Sequence, residues 1–175
     1  MERLGFIHEK LDIKLLILFV LRRLPSAVSF EELSELVLID DGIDYFDYTQ
    51  CLAELVETEH IEKGEQGYKI TKKGIDHSDT VESRIPFSVR SKAEVDIVPI
   101  IERMKRDALI KTSHKTLDNG GNMVKLSLSD GIGNILSLSI LTAGEEQSTA
   151  MEKYFRADAE GMYHKIIALL TPPPQ

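Results

Sequence analysis

The hydrophobic period of this chain changes once, and the change fixes its broad architecture. Up to about residue 109, apolar residues recur every three or four positions, the spacing of helices buried on one side. Beyond it, "MVKLSLS" sets Val124, Leu126 and Leu128 against Lys125, Ser127 and Ser129, and "ILSLSIL" sets Leu136, Leu138 and Ile140 against Ser137 and Ser139. Such alternation makes strands with one apolar and one polar face. "DGIGN", 130–134, joins the two runs at hairpin spacing, and "TSHKTLD", 112–118, adds a weaker strand ahead of Asn119, Gly120 and Gly121. A three-stranded antiparallel meander is expected. One last helix, about 145–170, is expected to cover it with Met151, Phe155, Ala159, Met162, Ile166 and Leu169, before a frayed "TPPPQ".

The front reads differently. "LDIKLLILFVLRRL", 11–24, is apolar around most of its girth and predicts a central core helix, ended by Pro25. Ser29 and Glu32 make a capping box ahead of the stripe Phe30, Leu33, Leu36 and Val37. After the turn "DDGID", the stretch "DYFDYTQCLAELVETE", 44–59, predicts a third helix. Its wheel turns Tyr48, Cys51, Leu52, Leu55 and Val56 inward, with Phe46, Gln50, Ala53, Glu54 and Glu57 opposite. "HIEKGEQGYKITKKG" then reads as strand, turn, strand, with Thr71 placed to cap a helix over about 72–83. Three helices, a hairpin and a fourth helix are the order of a winged helix-turn-helix.

"SRIPFS", 83–88, marks the expected boundary between a winged-helix domain, 1–86, and a second domain, 87–175. The second opens on a long stripe, Val89, Ala93, Ile97, Ile100, Ile101, Met104 and Ala108, with Pro99 predicting a kink or two abutting helices. Val95, Val98 and Leu109 form a narrower stripe on the far side. The fold class is α+β: an N-terminal winged helix, then a long helix, a three-stranded meander and a C-terminal helix. A small sheet with one cover rarely stands alone, so residues 88–170 are expected to build a homodimer.

Several chemistries are excluded by what the chain lacks. The longest apolar run, "LLILFVL", is far short of the roughly 20 residues that cross a bilayer. The first residues are acidic and lack a cleavage site, so no signal peptide is expected. Cys51 is the single cysteine, which rules out an internal disulfide and points to a cytoplasmic setting. It falls on the apolar side of its helix and reads as a small buried hydrophobe. His8, His60, His77, His114 and His164 show no metal-ligand spacing and read as surface histidines. Asp40, Asp41, Asp44 and Asp47 lack the alternate-position pattern of a calcium loop and suit a helix start. "DGIGN" opens no helix and reads as a turn, not a phosphate loop. No nucleophile–base pair is visible, so neither an enzyme nor a cofactor or metal is expected.

The order of "LLILFVLRRL", "YFDYTQCLAELVETEHIEK", "YKITKKG" and "RIP" resembles a bacterial family known only as a domain of unknown function, over nearly the whole chain, and the front half resembles winged-helix transcriptional regulators. The resemblance implies a winged-helix module with a dimerising C-terminal region and a regulatory role. It brings no catalytic residues.

Charge sharpens the question. The net charge is −8, and residues 40–59 carry seven acids and no base, while 60–74 carry four Lys against two Glu. An acidic helix would have to read a polyanion. Recognition helices touch bases with their front, which here offers Phe46, Thr49 and Gln50, and Gln pairs bidentately with adenine. Lys63, Lys69, Lys72 and Lys73 on and after the wing, helped by Arg22 and Arg23, would hold the phosphates of double-stranded DNA. Glu54 and Glu57, on the outward face, would repel them. The rival expectation is a protein-interaction module in which Phe46 and its acidic surround dock a basic partner, without DNA. A small-molecule effector would sit under the last helix, beside Met151, Tyr154, Phe155, Met162 and Tyr163. The competing reading makes these residues ordinary core.

Overall fold

The computed structural model describes residues 5–118 and 120–171, and of residues 79–82 the backbone alone. Asn119 and the expected frayed tail beyond Thr171 lie outside the described residues. The chain divides into two compact units, Met1–Met104 and Lys105–Gln175.

In the first unit α1, Lys10–Arg23, buries Ile13 and the whole run Leu15–Leu21. Each such side chain contributes about 1.5–3 kcal/mol when taken fully out of water, and together they make α1 the axis of the core. Arg23 ends the helix usefully. Its guanidinium lies 3.4 Å above the centre of the Phe19 ring and donates to Glu94 at 3.1 Å. Ser29 and Glu32 form the expected capping box at the start of α2, Phe30–Val37. α3, Tyr45–Glu57, is capped by Asp44, which accepts from Phe46 N at 2.8 Å.

β1, Ile61–Gly64, and β2, Gly67–Ile70, pair antiparallel with Ile61 opposite Ile70. Val28, just before α2, adds a third short partner: its N–H donates to Tyr68 O and its carbonyl accepts from Tyr68 N. Gly67 is required there, with φ +113° and no room for a Cβ beside the Val28 carbonyl. Thr71 Oγ1 accepts from Gly74 N and caps α4, Lys72–Val81, with one 3-10 turn, Glu82–Arg84, after it. Three helices, a two-stranded hairpin and a fourth helix thus follow one another, with Val28 bridged to the hairpin just before α2.

α5, Phe87–Leu109, is one continuous helix through Pro99, so the alternative of two abutting helices does not occur. The hydrogen bond that Pro99 cannot donate belongs to the carbonyl of Val95, a solvent-facing residue whose carbonyl water can serve. Val89, Ala93 and Ile97 join the core of α1.

The second unit holds the expected meander, β3, Ile110–Thr116, β4, Asn122–Ser129, and β5, Asn134–Thr142, in that order. Val124, Leu126 and Leu128 are buried and stand opposite Ile140, Leu138 and Leu136. Asp130 closes the turn by accepting from Ile132 N and Gly133 N, both at 2.8 Å, which holds its carboxyl below the usual range. The single C-terminal helix expected over 145–170 is two: α6, Glu145–Ala157, and α7, Ala159–Leu170. Asp158, at φ −151°, leaves the helical region between them and caps α7 by accepting from Gly161 N at 3.0 Å.

Candidate nucleic-acid interface

The outward face expected for α3, with Glu54 and Glu57 on it, divides into two edges. Along one edge, toward α1, the charges are already matched. Lys14 Nζ lies 2.6 Å from Glu54, and Lys10 Nζ lies 4.0 Å from Asp47. Gln50 sits between them: its Nε2 donates to Glu54 at 2.9 Å, and its Oε1 accepts from Lys10 at 2.5 Å. The Lys14 ammonium, then the Gln50 amide, hold the Glu54 carboxyl below the usual range. The ladder exists because Lys10 and Lys14, one turn apart on α1, face Gln50 and Glu54, one turn apart on α3.

The acids at the start of α3 are occupied too. Asp40 accepts from Phe6 N at 3.0 Å and from Gly42 N at 3.0 Å, tying the N-terminal segment to the turn, and Asp44 is the helix cap. Asp44 serves the helix start that the sequence suggested, whereas Asp40 binds backbone N–H groups of the N-terminal segment and the turn. The inner face of α3 is core: Tyr48, Cys51, Leu52 and Leu55 are buried. Burial pushes the Tyr48 phenol up to about 12 and raises the Cys51 thiol, so Cys51 is a hydrophobe and not a reactive group.

Along the other edge, α3 faces the wing. Thr49, Ala53, Val56 and Glu57 line a groove of about 370 Å3 with Phe30, Lys63 and Tyr68. Phe46, at the entrance of the helix, is 78% exposed. Lys63 Nζ lies 5.5 Å from the Tyr68 ring centre, a cation held over the groove floor. Lys69 and Lys72 are exposed on the wing and the start of α4, and Lys73 donates to Thr58 O at 2.8 Å. Of the residues singled out in the sequence, the structure gathers Thr49 and Lys63 at this groove, leaves Phe46 exposed at the start of α3, places Lys69, Lys72 and Lys73 on the exposed wing and its continuation, and commits the Gln50 amide to the α1 edge. Arg23 is engaged with Phe19 and Glu94.

Two histidine contacts escaped the sequence reading. His60 Nε2 meets His77 Nδ1 at 2.7 Å. His114 sits between two carboxylates, Nδ1 to Glu152 at 2.9 Å and Nε2 to Glu145 at 2.8 Å, which raise its pKa in that order of importance. The partners are 17, 31 and 38 residues apart, so no local spacing signals them. Beside His114, Asn122, Thr142 and Ser148 form a buried polar cluster, with Thr142 Oγ1 at 2.7 Å from Ser148 Oγ. Among the described residues no group of three or more His, Cys, Asp or Glu side chains could hold a metal ion, and no helix is long and apolar enough to cross a membrane. Met151, Met162 and Tyr163 pack against Phe155 and the sheet as part of its core.

No curated protein and no solved structure matches the chain. A family pattern does, over residues 13–170, from the first buried residue of α1 to the end of α7. The chain belongs to the family described as Domain of unknown function (DUF4364).

Proposed function

We propose that the protein is a dimeric winged-helix regulator of transcription that binds double-stranded DNA from the cytoplasm. The observation that carries the reading is the pairing of the α3 acids. Glu54 and Asp47, which as free carboxylates would repel phosphates, are turned toward α1 and matched by Lys14 and Lys10. The edge that faces the wing is left with Thr49, Ala53 and a single acid, Glu57, beside Lys63. Lys63, Lys69, Lys72 and Lys73 supply phosphate contacts; the front of α3 supplies base contacts, Thr49 and Phe46 directly and Gln50 after it leaves Lys10.

A second reading has its own observation. The groove between α3 and the wing is mostly apolar, and Phe46 is exposed on the first turn of the same helix. That suits a peptide or protein partner held by aromatic contacts, with no nucleic acid. The deciding experiment is enrichment of genomic DNA fragments on the purified protein at about 0.15 M salt, where non-specific binding is screened. A palindromic footprint supports the regulator. No enriched sequence, with recovery of one abundant protein in a parallel pull-down, supports the interaction module.

A further inference from the structure

Four leucines of the first unit wall a cavity that the core leaves open. Leu11, Leu15 and Leu18 on α1 and Leu55 on α3 enclose about 470 Å3, a volume typical of small-molecule sites. Its polar edge is formed by Lys14, Thr58, His60 and His77. Among the described lining residues there is no carboxylate.

The hydrogen bonds at that edge have a direction. Thr58 Oγ1 donates to Glu54 O at 2.7 Å, so at 2.9 Å from His60 Nδ1 it accepts. Burial, then Lys73 and His77, lower the His60 pKa and favour its neutral form. A neutral His60 protonated at Nδ1 has a bare Nε2, which accepts from His77 Nδ1 at 2.7 Å. His77 Nε2 remains at the open end of the relay. The cavity thus combines a hydrocarbon wall with an ammonium and an imidazole.

We propose that this cavity binds a small amphipathic carboxylate, its hydrocarbon body among the leucines and its head group on Lys14. Charge selects the class: an ammonium at the edge of an apolar pocket favours an anion over an alcohol or an amine. Lys14 is also the partner of Glu54, so a carboxylate in the cavity competes for the same ammonium. Occupancy is therefore transmitted to Glu54 and Gln50 on α3, the helix of the candidate interface. The site itself does not depend on DNA binding.

The full-length protein is titrated calorimetrically with octanoate, 1-octanol and octylamine. Octanoate is expected to bind saturably to one site, octanol about tenfold more weakly, the loss of one charge-assisted contact, and octylamine not at all. Leu11→Trp, at an exposed position, is expected to fill the mouth and abolish octanoate binding. Lys14→Met should bring octanoate toward the affinity of octanol without changing octanol. Transmission is read by NMR: the Gln50 side-chain amide shifts with octanoate in the wild type and stays in place in Leu11→Trp. Equal affinity for the three probes, no saturable binding, or octanoate binding unchanged in Leu11→Trp overturns the site. So does a dimer that octanoate or Leu11→Trp dissociates, since a second copy would then fill the cavity. A silent Gln50 amide on saturation overturns the transmission.

Discussion

The two compact units bury their apolar surface to different degrees. In the first, α1 is enclosed on nearly every side, and Leu16, Ile17 and Val20 have no solvent exposure. In the second, β4 is covered but β5 is not: Leu136, Leu138 and Ile140 are only half-buried, on the same face as buried Val124, Leu126 and Leu128. α7 buries Ala159 alone, while Leu169 and Leu170 are 85% and 77% exposed. The core of the first unit closes around Leu16, Ile17 and Val20, while Leu11 stays 47% exposed at its open cavity. The second has the look of half an interface, which supports the proposed homodimer.

The largest effects test that contrast directly. Leu16→Ala is expected to cost about 2–5 kcal/mol in urea unfolding, since it opens a void in a fully packed site. Leu138→Ala removes the same atoms from a half-covered site and is expected to cost clearly less if the second unit stands alone. A cost equal to that of Leu16→Ala would mean that another copy covers β5 in solution. Light scattering at micromolar concentration gives the complementary measurement. A dimer is expected, and Leu169→Glu with Leu170→Glu should shift it to monomer if α7 belongs to the interface. A monomeric wild type would break the proposal.

The next effect is a pH dependence confined to the second unit. The carboxylates of Glu152 and Glu145 raise the His114 pKa above its ordinary 6.5. A raised folded pKa stabilises below the unfolded value, and the stabilisation is lost as pH rises through the folded value. The difference in Tm between wild type and His114→Ala should therefore be largest near about pH 6 and shrink as pH rises toward about 8. A difference that grows over that range would show that the imidazolium does not tie β3 to α6.

Local chemistry made much of the fold legible. The Ser29–Glu32 box, the Thr71 cap, the wing register and the alternation of β4 and β5 all follow from neighbours in the sequence. The break at Asp158 was written locally as well, in an Asp placed three residues before Gly161, but the apolar stripe on either side of it read as one helix. The paired histidines and the lysine ladder were beyond reach. Lys10 and Gln50 stand 40 residues apart and meet only because α1 and α3 pack together. A helical wheel separates inside from outside; it does not say which outward side chains have been neutralised by another helix.

The contrast between settled and open surface recurs within α3, and there the expected effects are smallest. Substituting Lys63, Lys69 or Lys72 by Ala should weaken binding to all DNA sequences alike and reduce the salt slope by about one unit per lost phosphate contact. Gln50→Ala should alter the preferred base at one step, by roughly 1–3 kcal/mol, provided the amide leaves Lys10 and Glu54 in the complex. Glu57, open beside the wing, should repel a nearby phosphate by on the order of 1 kcal/mol, so Glu57→Gln should tighten binding about fivefold. Glu54→Gln should leave DNA affinity nearly unchanged, because that charge is already matched by Lys14 at 2.6 Å. The pair of glutamates is thus an internal control, read in one filter-binding series across salt concentrations. Equal tightening by both substitutions would mean that the lysine ladder does not shield Glu54. Loss of a protein partner with Glu57→Gln and Phe46→Ala, while the lysine variants change nothing, would assign the groove to protein recognition.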